Sequence, residues 1–101
     1  MKLSTIICGE KLEDEVRIIF ADLNVTGYTV LSNVCGAGQT GMVSGTGGWT
    51  DRNKLFLILL PDERMNPLLD AVRTLHERLV EEHHGREVAL KAFVQSCDVV
   101  V

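Results

Sequence analysis

The order of apolar patterns along the chain is the feature that most constrains its fold. Four short stretches rich in apolar and β-branched residues predict strands, and two stretches with apolar residues at helical spacing predict amphipathic helices. The strands are predicted at 3–8, 28–35, 55–60 and 88–97, and the helices at 12–23 and from 66 to about 84. The second helix is predicted to begin with Asn66 as N-cap and Pro67 as its first helical residue. This is the order of the ferredoxin-like βαββαβ unit, a four-stranded antiparallel sheet with two helices on one face. We therefore predict an α+β protein in which residues 1–101 form a single domain.

The third predicted strand, Leu55–Leu60, is apolar at all its positions and stops at Pro61. Such continuous apolarity predicts a central strand buried on both faces. Because both helices are expected on one face of the sheet, the other apolar face needs a further covering. We therefore predict a symmetric oligomer, either a dimer or a small ring.

The charge and the cysteine pattern limit the classes of partner and compartment. The formal net charge is −4, which does not favour binding to nucleic acid or to an anionic membrane surface. No apolar run approaches the roughly 20 residues that span a bilayer, and the first residues do not have the pattern of a secretory signal. Cys8, Cys35 and Cys97 are widely spaced, which favours buried or half-buried thiols in a reducing compartment over a disulfide framework or a zinc site. We expect a cytoplasmic protein.

A glycine-rich segment follows the second predicted strand, from Gly36 to Trp49, and it contains six of the nine glycines. Gly36 to Gly41 match the dinucleotide-binding pattern G-x-G-x-x-G, but that motif requires a helix directly afterwards, and further glycines at 45, 47 and 48 exclude one. Glycine-rich backbone can still turn successive N–H groups towards a bound anion. The segment therefore predicts a functional loop with a phosphate-binding concavity.

Charged and aromatic residues near this loop are candidates for contacts with a ligand or a partner. Arg52 and Lys54 close the loop, and Lys91 interrupts an apolar strand. Lys91 has two interpretations, a solvent-exposed side chain or the cation that compensates a bound phosphate. Trp49 either packs the loop down or anchors a partner protein.

Metal binding and catalysis have weaker support in the sequence. His76, His83 and His84 do not have the i, i+4 spacing that brings two ligands together on a helix, so exposed histidines near a helix end are the favoured interpretation. Ser32 and Ser44 have no evident base, and nothing near Cys35 is basic enough to activate its thiol, for which structural packing is favoured. We predict that the protein is not an enzyme.

Five segments fall in the order and spacing of a known family, and the chain resembles the P-II-like trimeric signalling proteins over most of its length. The segments are Val16-Arg17, Val25–Val30, Gly36-Ala37-Gly38-Gln39, Leu59–Glu63 and Lys91–Val94. The resemblance implies a ferredoxin-like homotrimer with adenine nucleotides bound in the clefts between subunits, beneath the long loop after the second strand.

The chain also departs from the usual family pattern. The family's Gly-Phe-Gly-Arg-Gln is replaced by Gly36-Ala37-Gly38-Gln39-Thr40, which contains no arginine, and Glu82–Glu87 replaces a glycine-rich turn. The family holds a triphosphate with C-terminal arginines, whereas residues 87–101 contain no arginine, so we expect no equivalent contacts from this segment. It is therefore similar to the divergent P-II-like branches linked to bicarbonate transport or carboxysome operons, where ADP or AMP, sometimes with bicarbonate, is the ligand.

The resemblance also implies roles for individual residues. Nucleotide binding is expected from the backbone of Gly36, Ala37, Gly38, Gln39 and Thr40, from the charge of Lys91, from Thr29 and Leu60 at the base, and from Arg86 in place of the missing turn. The 36–54 loop, including Ser44, Trp49 and Arg52, is expected to regulate a transporter or enzyme of inorganic carbon acquisition. The alternative is a metal-responsive ferredoxin-like trimer of the CutA or efflux-associated type.

Overall fold

A computed structural model describes residues 1–38, 41–42, 52–84 and 87–101. The strands are β1 (Lys2–Gly9), β2 (Thr29–Val34), β3 (Ala37–Gly38), β4 (Gly41–Met42), β5 (Asn53–Leu60) and β6 (Leu90–Ser96). A 3₁₀ turn, Glu10–Leu12, leads into helix α1 (Glu13–Asp22), and the second helix is α2 (Asp62–Glu82).

The main sheet has four antiparallel strands in the order β2-β5-β1-β6, which confirms the predicted ferredoxin-like fold. Strands β3 and β4 form a separate two-stranded ladder. Both helices follow a strand of the main sheet and pack their apolar stripes on one of its faces. We call this face the covered face, and the opposite one the uncovered face.

The core lies between the covered face and the two helices. Phe20 of α1 packs against Tyr28 and Phe56, with ring centroids 4.8 and 5.3 Å apart. Helix α2 buries residues at helical spacing, namely Met65, Leu68, Val72, Leu75 and Leu79. These apolar contacts position α1 beside the first residues of β5, which matters for the loop described below.

The predicted start of the second helix is wrong. Helix α2 begins at Asp62 with Pro61 as N-cap, and Pro67 lies inside the helix. The Pro61 carbonyl accepts hydrogen bonds from the N–H groups of Arg64 and Met65, and Met65 is buried in the core. The extra turn therefore gains burial and main-chain hydrogen bonds that offset the hydrogen bond that a proline cannot donate.

The prediction that the third strand is buried on both faces is also wrong for the single chain. Phe56 and Ile58 of β5 are fully buried on the covered face, whereas Leu55, Leu57 and Leu59 are only half-buried. The reason is that both helices lie on the same face, so the alternate residues of β5 have no helix above them.

The environments of the cysteines only partly match the prediction. Cys8 is buried and Cys97 is half-buried, but Cys35 is exposed, so the predicted packing role of Cys35 is wrong. Among the described residues, no helix has the length and apolarity needed to cross a bilayer.

Candidate functional site

One end of the main sheet gathers most of the predicted site residues that the structure describes. At this end β1 stops at Gly9, β2 stops at Val34, and β5 and β6 begin at Asn53 and Leu90. We call it the loop end, because the 36–54 loop leaves from β2 and returns to β5 here. Gly9 and Asn53 are paired, and the Gly9 N–H donates to the Ala89 carbonyl at 2.9 Å, so β5, β1 and β6 are held together up to this end.

Gly36, Arg52 and Lys91 are located at the loop end. Gly36 is exposed two residues after β2, Arg52 is exposed immediately before β5, and Lys91 is the exposed second residue of β6. Lys91 pairs with Ile7 of β1, which places it on the uncovered face. Its ammonium group is therefore exposed at this end of the sheet, on the edge strand opposite β2.

Ala37 and Gly38 form β3 and pair with Met42 and Gly41 of β4. This short ladder engages main-chain groups of the predicted concavity, so a phosphate would have to use the N–H groups that the ladder leaves unpaired. Gln39, Thr40, Ser44, Trp49 and Arg86 lie outside the described residues, and their predicted roles stay predictions.

Thr29 and Leu60 do not lie at the loop end. Thr29 is exposed at the start of the edge strand β2 and pairs with Leu57. Leu60 ends β5, is paired with Lys2 and is 6% exposed, so its side chain belongs to the core. Any contact between Leu60 and a nucleotide base therefore has to involve mainly its backbone.

The uncovered face carries a continuous set of apolar side chains. Strand alternation and register place on it Leu3, Ile7, Leu31, Leu55, Leu57, Leu59 and Phe93. Phe93 and Leu31, on the two edge strands, are about half exposed at 48% and 45%. An apolar surface that extends across four strands is typical of a protein interface.

Side-chain contacts that the sequence did not predict join the stems of the loop. Lys54 Nζ lies 2.9 Å from Ser32 Oγ, and Asn53 Nδ2 donates to the Val34 carbonyl at 3.0 Å. Glu13 Oε1 of α1 lies 3.6 Å from Lys54 Nζ. The only sequence signal for these contacts was the position of Lys54 at the end of the loop, because Glu13 is 41 residues away along the chain and neighbours it only in the folded protein.

The histidines are spread along and beyond α2. His76 lines an open groove of about 350 Å³ between α2 and β6, while His83 is the C-cap of α2 and His84 follows with a positive φ of 53°. Within the described ranges, no group of three or more His, Cys, Asp or Glu side chains is close enough to hold a metal ion. The metal-responsive alternative thus gains no support from this part of the chain.

Comparisons with solved structures identify proteins with the same fold. The chain is similar in structure to CPII, a nitrogen regulatory PII-like protein from Thiomonas intermedia K12 bound to ADP, AMP and bicarbonate, with a TM-score of 0.72 and 21% identity over 99% of this chain and 92% of that one. It is similar to CPII bound to ADP and bicarbonate, with a TM-score of 0.69 and 23% identity over 93% and 82% of the two chains. A PII-like signalling protein from Thermus thermophilus gives a TM-score of 0.54 and 20% identity over 93% and 83%.

At the level of sequence, a search of curated proteins gives no match. The model of the family described as Nitrogen regulatory protein P-II matches residues 1–100. This match covers nearly the whole chain, including both stems of the glycine-rich loop and all four strands of the main sheet. The chain therefore belongs to the P-II family, as a divergent, P-II-like member.

Proposed function

We propose that this protein is a P-II-like regulator that binds ADP or AMP in clefts between copies of itself and controls a partner through its 36–54 loop. The observation that carries the proposal is that the loop end of the sheet holds the stems of a glycine-rich loop together with Lys91. P-II proteins are signalling proteins, so we propose regulation and not catalysis.

The uncovered face supports assembly into a homotrimer, as the family resemblance implies. Its leucine side chains on β5 are half-buried, and Leu31 and Phe93 on the edge strands are exposed. Removing apolar surface from water stabilises an assembly by roughly 25 cal/mol per Å². Three copies arranged as a closed ring can cover this face in every subunit.

The positions of Thr29 and Lys91 support a nucleotide site between subunits. Both lie on the uncovered face, but Thr29 is on one edge strand and Lys91 is on the other. Three spacings between neighbouring strands separate those edges, which is about 14 Å. A cleft in which one subunit supplies Lys91, and the next supplies Thr29 together with the start of the loop after β2, brings both residues to a single nucleotide.

The charge at the loop end favours a nucleotide with few phosphates. Main-chain N–H groups of residues 36–40 are proposed to contact the phosphates, with the Lys91 ammonium as compensating charge and Arg86 as a second cation. Lys91 provides a point charge and not the planar fork of an arginine, and Gly36–Thr40 contains no arginine. This set of groups suits a mono- or diphosphate better than a triphosphate.

We propose that bicarbonate is a second ligand and that the regulated partner acts in inorganic carbon acquisition. CPII is bound to bicarbonate as well as to ADP and AMP, which supports bicarbonate as a second ligand here. We propose that ligand binding orders the 36–54 loop, and that Ser44, Trp49 and Arg52 then contact a transporter or enzyme of inorganic carbon acquisition in the cytoplasm. The surface that binds the partner then forms only when the nucleotide site is occupied.

Isothermal titration calorimetry tests the nucleotide site. We expect ADP and AMP to bind, ATP to bind more weakly, and bicarbonate to change the affinity for at least one nucleotide. Light scattering after size exclusion gives the mass in the same buffer, with three chains expected. Failure of all three nucleotides to bind would remove the proposal, and preferential binding of ATP would contradict the phosphate assignment.

A further inference from the structure

The main-chain pairing between β2 and β5 is interrupted where the 36–54 loop begins. Leu31 pairs with Leu55, but the next pair is Val34 with Asn53, so β2 contains one extra residue. Asn33, within this irregularity, has a positive φ of 57°. A bulge of this kind locally removes ladder hydrogen bonds, and the main chain alone therefore holds the loop stems less firmly than the rest of the sheet.

Side chains replace the missing main-chain links at this point. Lys54 Nζ lies 2.9 Å from Ser32 Oγ, next to the bulge, and Asn53 Nδ2 donates to the Val34 carbonyl beyond it. The Lys54 side chain is 22% exposed, so water competes for its ammonium group less than at a fully exposed site. These side-chain contacts therefore act together with the main-chain pair of Val34 and Asn53 in setting the distance between the two loop stems.

The contact made by Lys54 continues through helix α1 to the other end of β2. Glu13 Oε1 lies 3.6 Å from Lys54 Nζ, and Glu13 Oε2 accepts a hydrogen bond from Arg17 Nε at 2.8 Å. Arg17 Nη1 in turn donates to Tyr28 Oη at 2.8 Å, and its guanidinium lies 5.4 Å from the centre of the Phe56 ring. We call this chain of contacts the loop clamp: Ser32, Lys54, Glu13, Arg17 and Tyr28.

We propose that Lys54 and Glu13 are positioning residues that fix the stems of the 36–54 loop, and that Arg17 links this geometry to Tyr28 and hence to Thr29. The inference rests on the proposed function, because Gly36 and Thr29 are assigned there to nucleotide binding. The loop clamp joins the two ends of β2 through a helix and not through the sheet. A change at Gly36 is thereby transmitted to Thr29, the other proposed nucleotide contact, within the same subunit.

The first experiment needs no ligand, because Trp49 is the chain's one tryptophan and lies in the loop. Acrylamide quenching of its fluorescence is measured for wild type, Lys54→Met, Glu13→Gln and Lys54→Arg. A matched control is Arg78→Met, which removes the ion pairs of Arg78 with Glu15 at 2.9 Å and with Glu82 at 2.7 Å and touches neither loop stem. We expect Lys54→Met and Glu13→Gln to change the quenching constant by about twofold, since a released segment samples open states more often.

The quenching constant should stay close to the wild-type value in Lys54→Arg and be unchanged in Arg78→Met. Circular dichroism melts show whether each variant is folded, and the milder Glu13→Gln substitution provides the test if Lys54→Met does not fold. Unchanged quenching in both clamp variants would overturn the proposal. An equal change in Arg78→Met would overturn it as well, because the effect would then follow from any lost ion pair.

The second experiment connects the loop clamp to the ligand. We expect the affinity for ADP to fall by about fivefold in Lys54→Met and to stay unchanged in Arg78→Met, in line with ordinary coupling between sites. If wild type binds no adenine nucleotide, the proposed function fails while the quenching result still decides the role of the clamp. A loss of ADP affinity with unchanged quenching would contradict positioning of the loop as its cause.

Discussion

Cys8 lies directly opposite Lys54 in the pairing of β1 with β5. Although the Lys54 ammonium and the Arg17 guanidinium both favour a thiolate, burial dominates and, with the Glu13 carboxylate, raises the pKa of the Cys8 thiol to about 12. The thiol has no exposed surface. Burial next to cations therefore does not create a reactive cysteine here, because the cost of removing the thiolate from water exceeds the attraction of the charges.

The raised pKa of Cys8 predicts a loss of stability at high pH. The unfolded thiol ionises near 9.0 while the folded one stays protonated to about 12, so the unfolded state binds fewer protons in this window. The stability that the protonated Cys8 thiol contributes is fully present below pH 9 and is lost as the pH rises towards 12. At pH 10.5 we expect wild type to have lost about 2 kcal/mol relative to pH 8 from this group.

Urea denaturation at pH 8 and pH 10.5 measures this effect, and Cys8→Ala isolates it. The two proteins differ in no other side chain, so the difference between them reports on Cys8. A pH dependence that is identical in wild type and Cys8→Ala would contradict the assignment.

Ser4 provides a test of the core. It is fully buried on the covered face between Ile58 and Val94, and its Oγ has no hydrogen-bond partner among the described residues. A buried hydroxyl without a partner is unfavourable, so we expect Ser4→Ala to raise the free energy of unfolding by about 1 kcal/mol. Ser96→Ala is the control, because it removes an exposed hydroxyl 3.3 Å from Lys2 Nζ. It should change the free energy of unfolding by less than about 0.5 kcal/mol. Clear destabilisation by Ser4→Ala in urea denaturation would show that the hydroxyl is bonded after all.

The fold could be predicted from the sequence because its elements are encoded locally. The alternation of strand and helix patterns gave the correct order of the main elements, and the apolar run ending at Pro61 predicted the central strand β5. The start of α2 was missed because Asn66-Pro67 has the local signature of a helix start, whereas the burial of Met65, which favours the earlier start, depends on tertiary structure. Local signals therefore identified the elements but not all of their ends.

The candidate site was less predictable, because it depends on residues distant in sequence. The glycine pattern and Lys91 were visible as separate features, but strand order and register were needed to show that Gly36 and Lys91 share one end of the sheet. They were also needed to show that Thr29 lies towards the other end, on the edge strand opposite that of Lys91. Neither Glu13 nor Arg17 has a local signature that distinguishes it from an ordinary charged residue on a helix surface. Their contacts with Lys54 and Tyr28 arise only when α1 packs on the sheet.

The uncovered face predicts how the assembly can be broken. Phe93 is 48% exposed there, so Phe93→Glu should place a charge in the interface and convert a trimer into monomers that remain folded. Ile18 of α1 is 58% exposed and belongs to the helix layer, so Ile18→Glu is the matched control and should leave the mass unchanged. Light scattering after size exclusion measures both. A trimer that survives Phe93→Glu, or one that is lost equally with Ile18→Glu, would place the interface elsewhere.

Lys91 tests the phosphate site directly. It is exposed on the uncovered face at the loop end, so Lys91→Met should leave the fold intact while removing the charge proposed to compensate a phosphate. A hydrogen bond between charged groups contributes about 1.5–3 kcal/mol, and we therefore expect the affinity for ADP to fall by about tenfold or more. Lys2→Met is the control, because Lys2 pairs with Leu60 at the opposite end of the same sheet. Isothermal titration with ADP should show wild-type affinity for Lys2→Met. If Lys91→Met binds ADP as tightly as wild type, the phosphates lie elsewhere and Lys91 is an ordinary solvent-exposed lysine.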